Sequence, residues 1–165
     1  MPTNKPLSVA PDTIASAHAT TNRRWGARIN LAAGYWLARA GLCLAFAYSG
    51  TSKLLDFQSA IAEQAHVGLP HPALFASATI ATQLTGSALI LLARGLPAAL
   101  GAVLLAGFTV AATLLGHQFW HETGVQRFAD LNSFLEHFGL IGGFALIAMI
   151  EMGQIAKLSV QRAQA

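Results

Sequence analysis

Four long apolar stretches, separated by short polar breaks, organise this chain. They run from about Ala33 to Leu55, from Ala73 to Ala93, from Leu96 to about His117, and from about Phe134 to Ile150. A helix of roughly 20 residues crosses a hydrocarbon core about 30 Å thick, so each stretch has the length of a membrane span. The pattern predicts an all-α fold, an integral membrane bundle of four transmembrane helices. Between the first and second spans, Asp56 to His66 reads as a short amphipathic helix on the membrane surface. Asp56 is its N-cap, Phe57, Ala60, Ile61 and Ala65 form its apolar side, and Gly68 is its stop. Pro70 and Pro72 turn the chain back, Arg94-Gly95 leaves room only for a tight turn, and Pro97 suits the first turn of the third helix. Residues 118–131 read as a polar loop, and Ser133 with Glu136 fits a capping box opening the fourth helix. Ala98, Ala102 and Ala106, and the pair Gly139 and Gly143, offer small-residue faces for close helix packing.

The flanks differ from this middle. Residues 1–30 are rich in Ser, Thr and Ala, lack the apolar core of a cleavable signal peptide, and end in the basic run Arg23-Arg24-Trp25-Gly26-Ala27-Arg28. They are expected to be a disordered cytoplasmic tail with a basic anchor. Residues 31–152 are the transmembrane domain, and 153–165 a short polar cytoplasmic tail.

Composition narrows the class. Hydrophobic residues make up 54% of the 165 and charged residues 10%, too few charges to build a soluble surface. The net charge of +3 comes without a dense basic run, which argues against nucleic acid as a partner and leaves the lipid bilayer as the main one. The cations are sorted by side instead. Lys5, Arg23, Arg24, Arg28, Arg94, Lys157 and Arg162 fall on one face of the membrane, and only Lys53 and Arg127 on the other. Cytoplasmic loops carry the excess of Lys and Arg, so both termini are expected in the cytoplasm. The single cysteine, Cys43, excludes an intrachain disulfide and dithiol chemistry, and reads as a small packing residue.

The polar residues inside the spans are the candidate chemistry. Arg39 and Lys53, fourteen positions apart, fall about 40° apart around a helix, so they share a face that should point into the bundle. Gln83 is the one strongly polar residue of the second span and sits near its middle. With both termini inside, Lys53, His117, Glu136 and His137 come to one level at the outer end, a possible polar pocket with Glu136 as counter-charge to Lys53. Each also has a plain reading: Lys53 snorkels to water, Glu136 caps, and His117 sits favourably at a helix C-terminus. Arg39, lacking an acid within the spans as drawn, is either held by carbonyls or Gln83 or holds an anionic or carbonyl-bearing ligand. His117 and His121 have the spacing of two ligands on one helix, and His117 and His137 similar depth, yet neither lies in a shielded segment; no bound haem or metal is expected.

The segment from Arg39 through Ser49-Gly50-Thr51-Ser52-Lys53-Leu54-Leu55-Asp56-Phe57 resembles the signature of the DoxX family of small four-helix membrane proteins. The resemblance continues through Gly68-Leu69-Pro70, Gly86, Arg94, His117-Gln118-Phe119-Trp120, Phe134-Leu135 and Gly142-Gly143. Two positions depart from the family pattern: Gln83, where relatives often carry glutamate, and Glu136-His137, where they often carry Lys-Asn. The resemblance implies a bacterial inner-membrane protein, and some relatives are linked to quinone-coupled sulfur oxidation or to membrane oxidoreductase assemblies. The expectation is a subunit or accessory of a membrane redox system that binds a quinone or small sulfur compound, with no tightly bound cofactor. Arg39, Lys53, Gln83, His117, Glu136 and His137 are its candidate ligand-binding residues. The alternative is a non-catalytic structural or assembly subunit, in a homo-oligomer or with membrane oxidoreductase partners.

Overall fold

The computed structural model describes residues 11–164; the side chains of residues 11–30, 158, 160 and 162, and with them the basic anchor, lie outside the described residues. The elements are α1 (Pro11–Leu55), α2 (Phe57–His66), α3 (Pro72–Leu92), α4 (Leu96–Gly116) and α5 (Gly124–Ala163). Four stretches are long and apolar enough to cross a membrane: Leu31–Leu55, Pro72–Leu92, Leu96–Gly116 and Gly124–Lys157. The expected fold class and element order are therefore found, including the short helix between the first two spans. The chain divides at Arg39: residues 11–38 are the N-terminal length of α1, and residues from Arg39 onward form the bundle.

Local chemistry explains most boundaries. The Asp56 carboxylate accepts from the Ser59 backbone N–H at 3.0 Å, so α2 starts at a capped N-terminus as expected. After α2 the chain turns at Gly68, whose φ of +80° suits a residue without a side chain, and Pro72 opens α3. The fourth span is where the sequence reading fails. It begins at Gly124 and not near Phe134, so most of residues 118–131 is helix, and Ser133 and Glu136 lie within α5 instead of capping it. Ten polar and mixed residues at the start of a helix carry no apolar stripe to announce it, whereas the αL glycine Gly124 does the turning.

The bundle is held by apolar and small-residue packing. Phe46 of α1 meets Phe108 of α4 and Phe144 of α5 edge-on, with ring centroids 6.2 and 5.2 Å apart. Cys43, Ile90, Ala98, Ala102, Leu105 and Phe144 are fully buried. The α3–α4 pair is close because neither backbone carries a side chain at the crossing. A Cβ on Gly101 would stand 2.9 Å from the Gly86 carbonyl oxygen, and one on Gly86 would stand 2.6 Å from Leu105. Of the expected Gly139/Gly143 face, Gly143 alone packs closely, against Leu42 of α1. Leu37, Leu44, Leu92, Phe128 and Phe138 point outward, as lipid-facing side chains do.

Candidate functional site

Polar side chains gather at the two ends of the bundle and at its centre. At the first end, the α3–α4 turn Ala93-Arg94-Gly95 is wedged between Arg39 and Glu151, both fully buried. Arg39 Nη1 lies 3.0 Å from Glu151 Oε1, and Nη2 donates to the Ala93 carbonyl at 2.7 Å. The other carboxylate oxygen of Glu151 accepts from the Gly95 backbone N–H at 2.6 Å, and Arg94 Nε approaches Oε1 at 3.4 Å. The arrangement follows from helix ends. The C-terminus of α3 leaves carbonyls without intrahelical partners and favours a cation; the N-terminus of α4 leaves N–H groups and favours an anion. Arg39 serves the first, Glu151 the second, and each neutralises the other.

This corrects the reading of Arg39 as lacking an acid within the spans. The fourth helix does not end at Ile150, and Glu151 is its next residue. The expected bond to a backbone carbonyl is present; none to Gln83 is.

At the opposite end, Lys53 bonds Ser49 of its own helix at 3.1 Å and pairs with Glu63 of α2 at 2.8 Å. The expected partnership with Glu136 does not form: Glu136 is exposed on α5, while Glu63 comes from the amphipathic helix that folds back beside Lys53. Arg39 and Lys53 do both turn inward, Arg39 completely and Lys53 with 16% of its side chain exposed.

His117 and His137, also at that opposite end, are brought together. His117 is the C-cap of α4, its ring centroid is 5.0 Å from that of His137 on α5, and its Nδ1 lies 3.5 Å from Asp130 Oδ1. His137 Nδ1 lies 2.7 Å from Thr113 Oγ1, whose own hydroxyl proton is donated to the Thr109 carbonyl at 2.6 Å. The network therefore assigns the tautomers. Thr113 has only lone pairs left for His137, so His137 carries its proton on Nδ1; the Asp130 carboxylate likewise favours Nδ1–H on His117. Both imidazoles are left with Nε2 as an acceptor. Next to them, Phe134 packs against Phe119, Trp120 and Phe138, forming an aromatic cluster. His121 is exposed in the turn after α4, against Trp120. Among the described residues, no three His, Cys, Asp or Glu side chains are grouped to hold a metal ion.

Gln83 lies between these ends, buried on α3 one turn before the equally buried Ser87. Asp130, Thr113, Glu63 and Glu151 are the residues the sequence reading missed. Asp130 and Glu63 were assigned to a loop and a surface helix, and Thr113 was hidden among apolar neighbours. Glu151 lay one position past an assumed boundary.

A four-span bundle with an inward arginine on the first helix, a polar turn after the second and a histidine closing the third defines a small multi-pass membrane protein, and the chain belongs to the DoxX family, whose model matches residues 34–118. It is similar to the inner membrane protein YphA of Escherichia coli (strain K12), at 29% identity over 120 residues, 73% of this chain and 84% of that protein. The likeness places it among multi-pass inner-membrane proteins. No solved structure matches it.

Proposed function

We propose that this chain is a quinone-interacting subunit of a membrane redox system, with the headgroup site at the His117 end, between α4 and α5. The observation that carries this reading is the pair of imidazoles 5.0 Å apart, each fixed through Nδ1 and each presenting a basic Nε2. A quinol headgroup is a flat aromatic ring with two hydroxyl donors, carried to the ends of membrane helices by its apolar tail. Two neutral imidazoles accept such donors, and the neighbouring Phe119, Trp120 and Phe134 supply the aromatic surface. The Asp130 carboxylate, 3.5 Å from His117 Nδ1, holds that ring with its Nε2 edge free of the contact. Arg39, by contrast, is committed to Glu151 and Ala93, and the ligand role assigned to it on sequence grounds moves to the histidines.

The test is a titration of detergent-purified protein with a short-tailed quinol analogue. His117→Ala and His137→Ala are expected to weaken binding by about tenfold each, the equivalent of about 1.4 kcal/mol for a lost hydrogen bond. Unchanged affinity in both variants contradicts the assignment.

A second reading, an assembly subunit or homo-oligomer, draws on α5. Its apolar length is far less buried than that of α4, and nothing lies within 4 Å of where a Cβ on Gly139 or Gly142 would be. Another helix can approach that face closely.

A further inference from the structure

Ser87 breaks a rule that its neighbours keep. Thr51, Ser77, Thr109 and Thr113 each donate a hydroxyl proton to the carbonyl four residues back, at 2.6–2.9 Å. Ser87, 3% exposed, does not, and among the described residues its Oγ has no hydrogen-bond partner. One turn earlier on the same face of α3, Gln83 is 5% exposed, and its Oε1 has no partner either. Cys43 of α1, fully buried, lies beside Ser87 and interacts with it, yet not in a geometry that satisfies the hydroxyl. Ile80 and Ile90 on α3 and Phe46 on α1 are buried on the flanking turns, and the buried Arg39, one turn before Cys43, is the charge that acts on the thiol. At Gly50, α1 comes close enough to α3 that a Cβ there would stand 3.2 Å from the Cβ of Gln83.

Each polar atom left unsatisfied in such a place costs about 1–3 kcal/mol. Two such side chains one turn apart, with the Cys43 thiol beside Ser87, call for a very small ligand that donates and accepts. We propose that Gln83 and Ser87 hold an internal water molecule at the centre of the bundle, with the Cys43 thiol as its third neighbour. Water donates to Gln83 Oε1 and accepts from the Ser87 hydroxyl, and it serves either orientation of the amide. The site accounts for an amide in the middle of a span that carries no charge, and it does not depend on the quinone reading.

Cys43 is the built-in reporter, because sulfur reacts readily with hydroxyl radicals and the chain has no other cysteine. The full chain in detergent micelles is exposed to a short X-ray pulse, which makes radicals from bound water in place, and labelling is read by mass spectrometry. Cys43 is expected to be oxidised despite its burial, while Phe144 and Leu105 stay unlabelled. Ser87→Ala and Gln83→Met, each checked for an unchanged helical spectrum, are expected to lose the Cys43 label. An unlabelled Cys43 in the folded wild type, or equal labelling in both variants, overturns the proposal. The S–H stretching band provides a second readout: a shift in Ser87→Ala is expected, and an unmoved band in both variants counts against the site.

Discussion

Arg39 and Glu151, 112 positions apart, meet at 3.0 Å with neither side chain exposed, and together they close both helix ends of the turn between α3 and α4. A buried charge that loses its partner is the costly case, because desolvation remains while the attraction is gone. Arg39→Ala or Glu151→Gln should each cost about 3–5 kcal/mol and appear as a fall in folded yield and melting temperature in detergent. Replacing both by apolar residues, Arg39→Met with Glu151→Leu, should recover part of the loss, since no charge is stranded. A double variant no better than the worse single one would show that the pair's bonds to Ala93 and Gly95 outweigh its charge balance.

Lys53 and Glu63 form a contrasting pair. The glutamate side chain is 54% exposed, so water screens it. Glu63→Gln is expected to shift stability by no more than about 1 kcal/mol, and Glu136→Gln by less still, because Glu136 pairs with no cation among the described residues. A double exchange of Lys53 with Glu63 should restore what Glu63→Lys alone loses. Rescue by exchange with Glu136 instead would contradict the structure. Thermal melts in detergent separate these outcomes.

The α3–α4 crossing tolerates no added carbon at Gly101, where a methyl would press on the Gly86 carbonyl and on Leu89 Cβ at 2.7 Å. Gly101→Ala should therefore destabilise by about 1–3 kcal/mol, the usual cost of overpacking. Gly107, on the same helix, has nothing within 4 Å of its missing Cβ, and Gly107→Ala should be neutral or slightly stabilising. Equal melting temperatures for the two variants would show that the helices separate freely at the crossing.

The sorting of the cations predicts the orientation. Reporter fusions after Leu31, Arg94 and Ala165 are expected to read cytoplasmic, and those after Pro70 and Arg127 external. A cytoplasmic signal at Pro70 would reverse the assignment.

What the sequence made legible was whatever repeats along a helix or punctuates one. Uninterrupted apolar runs revealed the second and third spans nearly to the residue and the end of the first at Leu55, although its helix already runs from Pro11, and Asp56, Pro72 and Gly95 marked turns by chemistry that acts within three or four positions. The start of α5 was illegible because residues 124–133 mix polar and apolar side chains without a clear stripe, and Gly124 is a signal too small to outweigh that. The site was half legible for a related reason. His117 and His137 stand out as polar residues at the ends of apolar runs. Asp130, which orients one of them, looks like any loop acid until the helix it belongs to is known. Glu151 shows the same limit: a boundary drawn one residue early removed the partner of Arg39, and the arginine then resembled a ligand site. Gln83 was visible from the start as the odd residue of its span, but its unsatisfied neighbour Ser87 was not, since serine in a membrane helix ordinarily satisfies itself.

The most direct measurement is photo-crosslinking of the full chain in membranes with an azido-quinone, followed by mass-spectrometric mapping of the labelled peptide. Label at the His117 end, in the segments around residues 113–121 and 130–138, with loss of label in His117→Ala and none near Arg39 or Glu151, is the predicted result. Label centred on Arg39, or labelling that is unspecific and indifferent to His117→Ala, would contradict it.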